Sequence, residues 1–360
     1  MRSTLDHVRI AGIAVAYGEE TRRLRDEVSL YGGDAAQIDR IARTVGLEAR
    51  SVAKAGTTAL DLGECAARRL LGDLDVDPSS LDAVLFVTQT PDHSQPANAN
   101  LLHGRLGLPK SALATDLNQG CSGFISGLHY AALLCAHAGA GRVLLCCGDT
   151  LSRLVNPRDR SVAPLFGDAV AAVLVERTGM SSPWHFSMGS DGSGSSAICV
   201  PAGGFRQPTT PAILASEAPD AEGNFRHPGN LAMSGAEVFN FSLREPPKAI
   251  AEAMAAAGWK AADVDALVCH QANRFIVQTL AKQAGFPTEK APITSLAKHG
   301  NLSSASIPAA LVGELGPRIS AEPLRLVICG FGVGLSWGAV ALTVGPIAVG
   351  KEGGEGRIKN

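Results

Sequence analysis

One stretch of sequence occurs twice, first as Leu81-Asp82-Ala83-Val84-Leu85-Phe86-Val87 and, 183 positions later (81 to 264), as Val264-Asp265-Ala266-Leu267-Val268-Cys269-His270. A second stretch recurs at the same offset, because Arg142-Val143-Leu144-Leu145-Cys146 matches Arg325-Leu326-Val327-Ile328-Cys329. Two matches at one offset predict two similar halves. Continuous apolar strands are typical of sheets covered on both faces, and an amphipathic helix precedes the first strand of each half. The sequence therefore predicts an α/β fold built from two related halves.

The composition suits a well-buried enzyme, because 46% of the 360 residues are hydrophobic and only 18% are charged. The net charge of −2 gives no sign of a nucleic-acid partner, although local basic patches could receive an acidic protein or a nucleotide phosphate. No apolar run is long enough to span a membrane and the N-terminus has no signal-peptide pattern, so we expect a cytoplasmic protein without a membrane partner. The eight cysteines lack CxxC and Cys/His metal spacing, which predicts reduced thiols and no metal.

Cys121 lies in a polar turn that leads into a helix of small and apolar residues, within Asp116-Leu117-Asn118-Gln119-Gly120-Cys121-Ser122-Gly123-Phe124. The unpaired N–H groups and the dipole at a helix N-terminus favour a thiolate. The thiolate is the nucleophilic form of cysteine, so this position suits a reactive thiol. A lone cysteine in such a helix is more often structural, and polar sites elsewhere in the chain decide between the two interpretations.

Two later stretches supply such sites at the ends of predicted elements: Cys269-His270-Gln271-Ala272-Asn273 and Lys298-His299-Gly300-Asn301-Leu302-Ser303-Ser304-Ala305-Ser306. A glycine-rich turn follows at Gly330-Phe331-Gly332-Val333-Gly334-Leu335-Ser336-Trp337-Gly338. Together with Cys121, these patterns resemble the β-ketoacyl-acyl-carrier-protein synthase III-like (ketosynthase III) family of the thiolase superfamily. The resemblance extends over about residues 7–345. It implies a thiolase-like five-layer αβαβα fold with two pseudo-symmetric halves.

The resemblance implies an acyltransferase of the 3-oxoacyl-carrier-protein synthase III type that works without a cofactor. An acyl-CoA or acyl-carrier protein would load Cys121, and condensation with a malonyl thioester would then give a 3-oxoacyl thioester. His270 and Asn301 would donate hydrogen bonds to the developing enolate, and the backbone N–H groups of Cys121 and Val333 would form the oxyanion hole. The sequence leaves one alternative open, an acyltransferase on the same scaffold that moves the Cys-bound acyl group to an oxygen, nitrogen or sulfur nucleophile.

The same resemblance divides the chain into an N-terminal half, residues 1–180, with the nucleophile, and a C-terminal half, residues 181–346, with the histidine and the asparagine. Residues 202–232 are rich in Gly, Pro, Thr and Asp and are predicted to form a loop insertion. Residues 347–360 are predicted to form a tail. Because members of the family are dimers, the resemblance also implies a homodimer.

Single residues disfavour two other members of the superfamily. An enzyme like hydroxymethylglutaryl-CoA synthase needs a glutamate base near Thr88, and Gln89 in that region cannot accept a proton as a base does. A degradative thiolase uses a second cysteine before its C-terminal glycine loop. Cys329 stands one residue out of register with that pattern and is interpreted as a core residue.

The departures from the family pattern fall at the entrance for the acyl donor. Residues 36–46 contain no aromatic side chain, where family members stack a tryptophan on the adenine of CoA. Arg274 stands one position before the family arginine and Phe275 takes its place, which rotates the arginine by about 100° on a helix. We expect Gln271, Arg274 and Phe275 to contact substrate. Departures at the entrance, with the chemical residues kept, favour a specialised paralogue.

Overall fold

The computed structural model describes residues 1–31 and 33–350 of the chain. The strands within these residues are β1 (Arg2–Leu5), β2 (Val8–Tyr17), β3 (Glu20–Arg23), β4 (Ala49–Val52), β5 (Ala83–Val87), β6 (Leu113–Leu117), β7 (Arg142–Asp149), β8 (Ala169–Arg177), β9 (Trp184–Ser190), β10 (Ile198–Cys199), β11 (Ala218–Pro219), β12 (Phe225–Arg226), β13 (Ala232–Met233), β14 (Ala266–Cys269), β15 (Leu324–Gly332), β16 (Ser336–Val344) and β17 (Ala348–Val349). The α-helices are α1 (Ala35–Ile41), α2 (Ala59–Asp73), α3 (Asn98–Leu106), α4 (Gly123–His137), α5 (Pro211–Ala215), α6 (Gly235–Arg244), α7 (Pro246–Ala257), α8 (Arg274–Gln283), α9 (Thr294–His299) and α10 (Ser306–Ala321).

Two mixed sheets form the frame of the molecule. The first has the strand order β17-β2-β8-β7-β5-β6, and the second has the order β1-β9-β16-β15-β14. In the first sheet β5 runs parallel to β6 and β7, and in the second β14 runs parallel to β15. The outermost strands are exchanged, since β1 joins the sheet of the later strands and β17 joins the sheet of the earlier ones.

Helices α4 and α10 lie between the two sheets. Both contact strands of each sheet, α4 touching β7 and β15, and α10 touching β2 and β14. The sequence explains this position, because most residues of both helices are apolar or small and become buried. The amphipathic α2 covers the outer face of the first sheet and α7 that of the second. The predicted five-layer αβαβα arrangement is therefore confirmed.

The two halves repeat at the offset read from the sequence. β14 begins at Ala266, 183 residues after β5 begins at Ala83, and α10 begins at Ser306, 183 residues after α4 begins at Gly123. The equivalent turns before α4 and α10 consequently lie at corresponding ends of the two sheets. This symmetry brings residues that are far apart in the sequence to one location.

The segment predicted as a loop insertion contains short elements of its own. α5 starts at Thr210, whose side chain caps the helix, and β11 pairs with β12. The segment is held to the loop at 156–160, because Arg226 pairs with Asp159 at 3.0 Å and the Arg158 guanidinium lies 4.1 Å from the centre of the Phe225 ring. A capping side chain and an ion pair therefore stabilise regular elements in a segment that its composition predicted only as a loop.

The predicted tail begins inside the fold. Ala348 and Val349 pair in parallel with Gly12 and Ile13, whereas residues 351–360 lie outside the described part of the chain. The division of the chain at residue 180 stays a prediction. No helix within residues 1–31 and 33–350 is long and apolar enough to cross a membrane.

Candidate active site

The turns at one end of the two sheets bring together four residues singled out in the sequence. Cys121 stands between β6 and α4, His270 directly follows β14, and Asn301 stands between α9 and α10. Val333 lies in the turn between β15 and β16. All four border one cavity of about 160 Å³, together with Gln89, Leu151, Leu165, Phe166, Ile198, Leu231, Met233, Gly235, Val238, Phe239, Ala272, Asn273, Ile276, Phe331 and Gly332.

The thiol of Cys121 is buried where it borders this cavity. Burial raises the pKa of the thiol to about 12, the Ser303 hydroxyl at 3.9 Å from Sγ acts in the opposite direction, and the charge of Asp149 raises the pKa further. The expectation that the start of α4 would favour a resting thiolate is therefore not met. Loss of hydration outweighs the contacts that favour the anion, so the resting group is a thiol.

Glycines allow the turn between β15 and β16 to approach Cys121. A Cβ atom on Gly332 would stand 2.8 Å from Cβ and 3.2 Å from Sγ of Cys121, and one on Gly120 would stand 2.2 Å from a methyl carbon of Val333. Among the described residues, no acceptor pairs with the backbone N–H of Cys121 or of Val333. Two unpaired N–H groups beside a thiol have the composition of an oxyanion hole.

A hydrogen bond fixes the orientation of the His270 ring. Its Nδ1 lies 2.7 Å from Oγ of Ser306, which accepts the backbone N–H of Gln271 at 3.3 Å. The Ser306 hydroxyl can donate to Nδ1, and with that direction we assign the imidazole hydrogen to Nε2. Burial lowers the pKa of His270 to about 3, against a smaller opposite effect of the Ser303 carbonyl. The ring is therefore neutral and can donate from Nε2.

The backbone and the side chain of Asn301 are both held in place. Its N–H donates to the carbonyl of Leu165 at 2.8 Å, and its own carbonyl accepts the N–H of Gly167 at 3.0 Å. Oδ1 accepts the N–H of Ser303 at 3.0 Å. Since Oδ1 is the acceptor, the amide nitrogen Nδ2 is the group left to donate into the cavity.

The three residues predicted to contact substrate lie in three different environments. Gln271 is fully buried and does not border the cavity. Its Nε2 donates to the carbonyls of Cys269 at 2.8 Å and Pro292 at 3.1 Å, so this side chain stabilises the loops that it joins. Arg274 begins α8 and borders a second cavity near the first. Phe275 is 54% exposed and stacks on Phe239, which borders the first cavity.

Sequence patterns alone did not indicate several polar residues around the site. Ser306 orients His270, and Ser303 touches both Asn301 and Cys121. The sequence analysis considered Gln89 only because a glutamine cannot act as a base. In the structure its Nε2 donates to Asp149 at 3.0 Å. The serines in the turn after Asn301 were the available signal, because small hydroxyl residues at a helix start are suited to bind neighbouring groups.

Within the described residues no group of three His, Cys, Asp or Glu side chains has the arrangement of a metal site. Cys329 lies fully buried in β15 and does not border the cavity.

Comparisons with known proteins find chains of similar sequence. Residues 115–192 match the family described as 3-oxoacyl-[acyl-carrier-protein (ACP)] synthase III, and residues 254–344 match its C-terminal part. A β-ketoacyl-[acyl-carrier-protein] synthase III of Streptomyces coelicolor is 38% identical over 309 residues, which are 84% of this chain and 87% of that protein.

Solved structures give the same result. A 3-oxoacyl-(acyl-carrier protein) synthase from Burkholderia xenovorans LB400 superposes with a TM-score of 0.90 at 37% identity, over 98% of each chain. The priming β-ketosynthase of the R1128 polyketide pathway superposes with a TM-score of 0.80 at 26% identity, over 95% of this chain and 97% of that one.

Proposed function

Because the chain belongs to the 3-oxoacyl-[acyl-carrier-protein] synthase III family and is a ketosynthase III-like condensing enzyme, we propose that Cys121 carries the acyl group that is condensed. The observation that supports this role is the cavity shared by the thiol of Cys121, the imidazole of His270 and the amide of Asn301. The enzyme is then an acyltransferase that splits a difficult condensation into two easier stages.

In the first stage Cys121 is loaded. Its sulfur attacks the carbonyl carbon of a donor thioester, and negative charge develops on the carbonyl oxygen. The unpaired N–H groups of Cys121 and Val333 stabilise that charge. The donor thiol leaves with the proton that Cys121 loses, and the acyl group stays on Sγ.

In the second stage a malonyl thioester occupies the cavity and loses carbon dioxide. Nε2 of His270 and Nδ2 of Asn301 donate to the thioester oxygen as the enolate forms. The enolate carbon attacks the acyl carbon on Cys121, which releases a 3-oxoacyl thioester and regenerates the thiol after protonation of the sulfur. Two neutral donors suit an oxygen that gains charge only during the reaction.

The donor is a thioester of CoA or of a carrier protein, both of which carry phosphate at the opposite end of the pantetheine arm from the reactive sulfur. A cavity of about 620 Å³ is bordered by four arginines, Arg23, Arg25, Arg43 and Arg274. The Nε of Arg274 is buried without a hydrogen-bond acceptor among the described residues, and its side chain packs on Gly46. Arg25 pairs with Asp39 at 3.2 Å, which also borders the cavity, and a cavity with several guanidinium groups fits a phosphate. This arrangement, without an aromatic residue at 36–46, favours a specialised paralogue.

The proposed assembly is a homodimer in the cytoplasm. β6 is the outermost strand of its sheet within the described residues, and its side chains are exposed or half-buried, with Leu113 at 49% exposure. Such an edge is suited to pair with a second copy. Light scattering coupled to gel filtration should give twice the chain mass of 37.1 kDa, and a monomer would contradict this assembly. No disulfide joins any of the eight cysteines, all of which lie within the described residues, and this suits a reducing compartment.

The function is tested by intact mass after incubation with a panel of acyl-CoAs and acyl-carrier proteins, before and after a malonyl thioester is added. We expect an acyl adduct that Cys121→Ser abolishes and Cys65→Ser, a matched change at a half-buried cysteine of α2, retains. His270→Ala and Asn301→Ala should load and then discharge about 10²–10³ times more slowly, as for the loss of one oxyanion donor.

The products distinguish the two candidate activities. Discharge by the malonyl thioester with release of a 3-oxoacyl thioester establishes condensation. An adduct that only an alcohol, amine or thiol discharges would contradict condensation and establish the acyltransferase alternative.

A further inference from the structure

A chain of polar contacts that is separate from His270 leads to the sulfur of Cys121. Ser303 Oγ lies 3.9 Å from Sγ of Cys121 and 3.2 Å from Nε2 of Gln89, which also donates to Oδ2 of Asp149 at 3.0 Å. Ser303 is fully buried and Asp149 is 1% exposed. The contact between Cys121 and Ser303 joins residues 182 positions apart, one from each half of the fold.

The direction of these hydrogen bonds follows from which groups can donate. Asp149 also accepts the backbone N–H of Gln89 at 2.6 Å and the hydroxyl of Thr88 at 2.9 Å. The Asp149 carboxylate can only accept hydrogen bonds. The Gln89 amide is therefore oriented with its nitrogen towards Asp149 and towards Ser303. Ser303 Oγ therefore receives a hydrogen from Gln89. Among the described residues, Sγ of Cys121 is the other polar atom within hydrogen-bond reach of Oγ.

We infer that Ser303 is a further catalytic residue of the loading step, whose hydroxyl hydrogen binds the sulfur of Cys121 as it becomes a thiolate. Gln89 and Asp149 are positioning residues that act through Ser303. The inference rests on the proposed function, because it takes Cys121 as the nucleophile. In the resting enzyme the thiol donates to Ser303 Oγ, and on ionisation the hydroxyl becomes the donor.

The bonds and the proton balance without another reactant. The S–H bond of Cys121 and the C–S bond of the donor thioester break, the bond between Sγ and the acyl carbon forms, and the proton ends on the leaving thiol. Ser303 keeps its hydrogen throughout. Its contribution is electrostatic, since a hydrogen bond to a charged group is stronger than one to a neutral group.

The surroundings of the sulfur give this hydrogen bond its importance. Burial already raises the pKa of the Cys121 thiol, and the charge of Asp149 raises it further, whereas the Ser303 hydroxyl lowers it. His270 borders the same cavity, but burial keeps it neutral, so it supplies no positive charge. Ser303 is thus the polar side chain whose contact favours the anion that has to form.

The backbone of Ser303 decides which variant removes the hydroxyl cleanly. Its φ is +51°, a left-handed conformation that glycine adopts without strain and alanine does not. Ser303→Gly keeps the backbone N–H that holds Oδ1 of Asn301. Ser304→Ala is the matched control, since Oγ of Ser304 is buried without a partner among the described residues.

The experiment compares the parent, Ser303→Gly, Gln89→Met and Ser304→Ala in three assays. The first follows alkylation of Cys121 by iodoacetamide against pH, with the labelled peptide identified by mass. The second follows single-turnover loading by an acyl-CoA or acyl-carrier protein that loads the parent. The third follows discharge of preloaded enzyme by a malonyl thioester.

We expect Ser303→Gly to move the alkylation profile to higher pH and to slow loading by about 10- to 100-fold, the value of a hydrogen bond to a charged group. Discharge also releases the sulfur as an anion, so it should slow by no more than loading does; Gln89→Met should shift the alkylation profile and the loading rate in the same direction by less, and Ser304→Ala should match the parent. An unchanged alkylation profile in Ser303→Gly, or loading at the parental rate, would overturn the inference. If no donor loads even the parent, the proposed function fails, while the alkylation profiles still decide the role of Ser303.

Discussion

We expect the neutral imidazole of His270 to determine how condensation depends on pH. Burial lowers its pKa to about 3, so the ring gains no proton between about pH 8 and about pH 5, where an exposed histidine would titrate near 6.5. We expect acyl-Cys121 to be discharged by a malonyl thioester at a constant rate over this range. Rapid quenching followed by intact mass measures that rate. A loss of rate with a midpoint near the ordinary histidine pKa would show instead that the ring is exposed to water in the reacting complex.

At the same residue scale, the sequence located the candidate chemical groups but not their contacts. Cys121, His270 and Asn301 could be singled out because each stands at the end of an element, where side chains reach a shared sheet edge. The partners of Cys121 could not be predicted, because the contact with Ser303 depends on how α4 and α10 pack between the sheets. The side chain of Gln271 was predicted to reach substrate and instead binds two backbone carbonyls, a choice set by local packing.

Within single elements, helix α2 offers a matched pair of substitutions. A Cβ atom on Gly63 would stand 2.7 Å from the buried Phe86 ring, so we expect Gly63→Ala to lower the free energy of unfolding by about 1–3 kcal/mol through overpacking. Gly72 is exposed in the same helix with no atom within 4 Å of such a Cβ, so Gly72→Ala should raise that free energy by about 0.5–1 kcal/mol. Urea unfolding followed by circular dichroism measures both, and equal effects would contradict the packing of α2 on β5.

Strands and helices with a strong pattern were predictable, whereas short elements were not. β5, β14 and the helix after Cys121 were readable because each is a continuous run of apolar or small residues. The elements within residues 202–232 depend on single capping side chains and on ion pairs with the loop at 156–160, and composition does not reveal such pairs.

For the whole molecule, the two halves should not fold separately. Ile125 of α4 packs against strands of the other sheet, since a Cβ on Gly338 of β16 would stand 2.8 Å from it. The core that includes α4 and α10 is shared by both sheets. We expect the full chain to unfold in one cooperative transition, and a fragment of residues 1–180 to show no cooperative transition by calorimetry, because it lacks the partner surface of α4. A fragment that melts like the full chain would establish independent halves.

The exchange of β1 and β17 between the sheets also determines how the molecule should respond to mechanical force. Each is a short strand at the rim of a sheet, four and two residues long, paired on one side only. A tension applied between Arg2 and Val349 would therefore load the rims of two different sheets at once, far along the chain from the turns around Cys121. Short rim strands have the lowest local stability, so they should detach first and release a small early extension before the main rupture in a single-molecule pulling trace. The sheets and helices that hold the site would then unfold last.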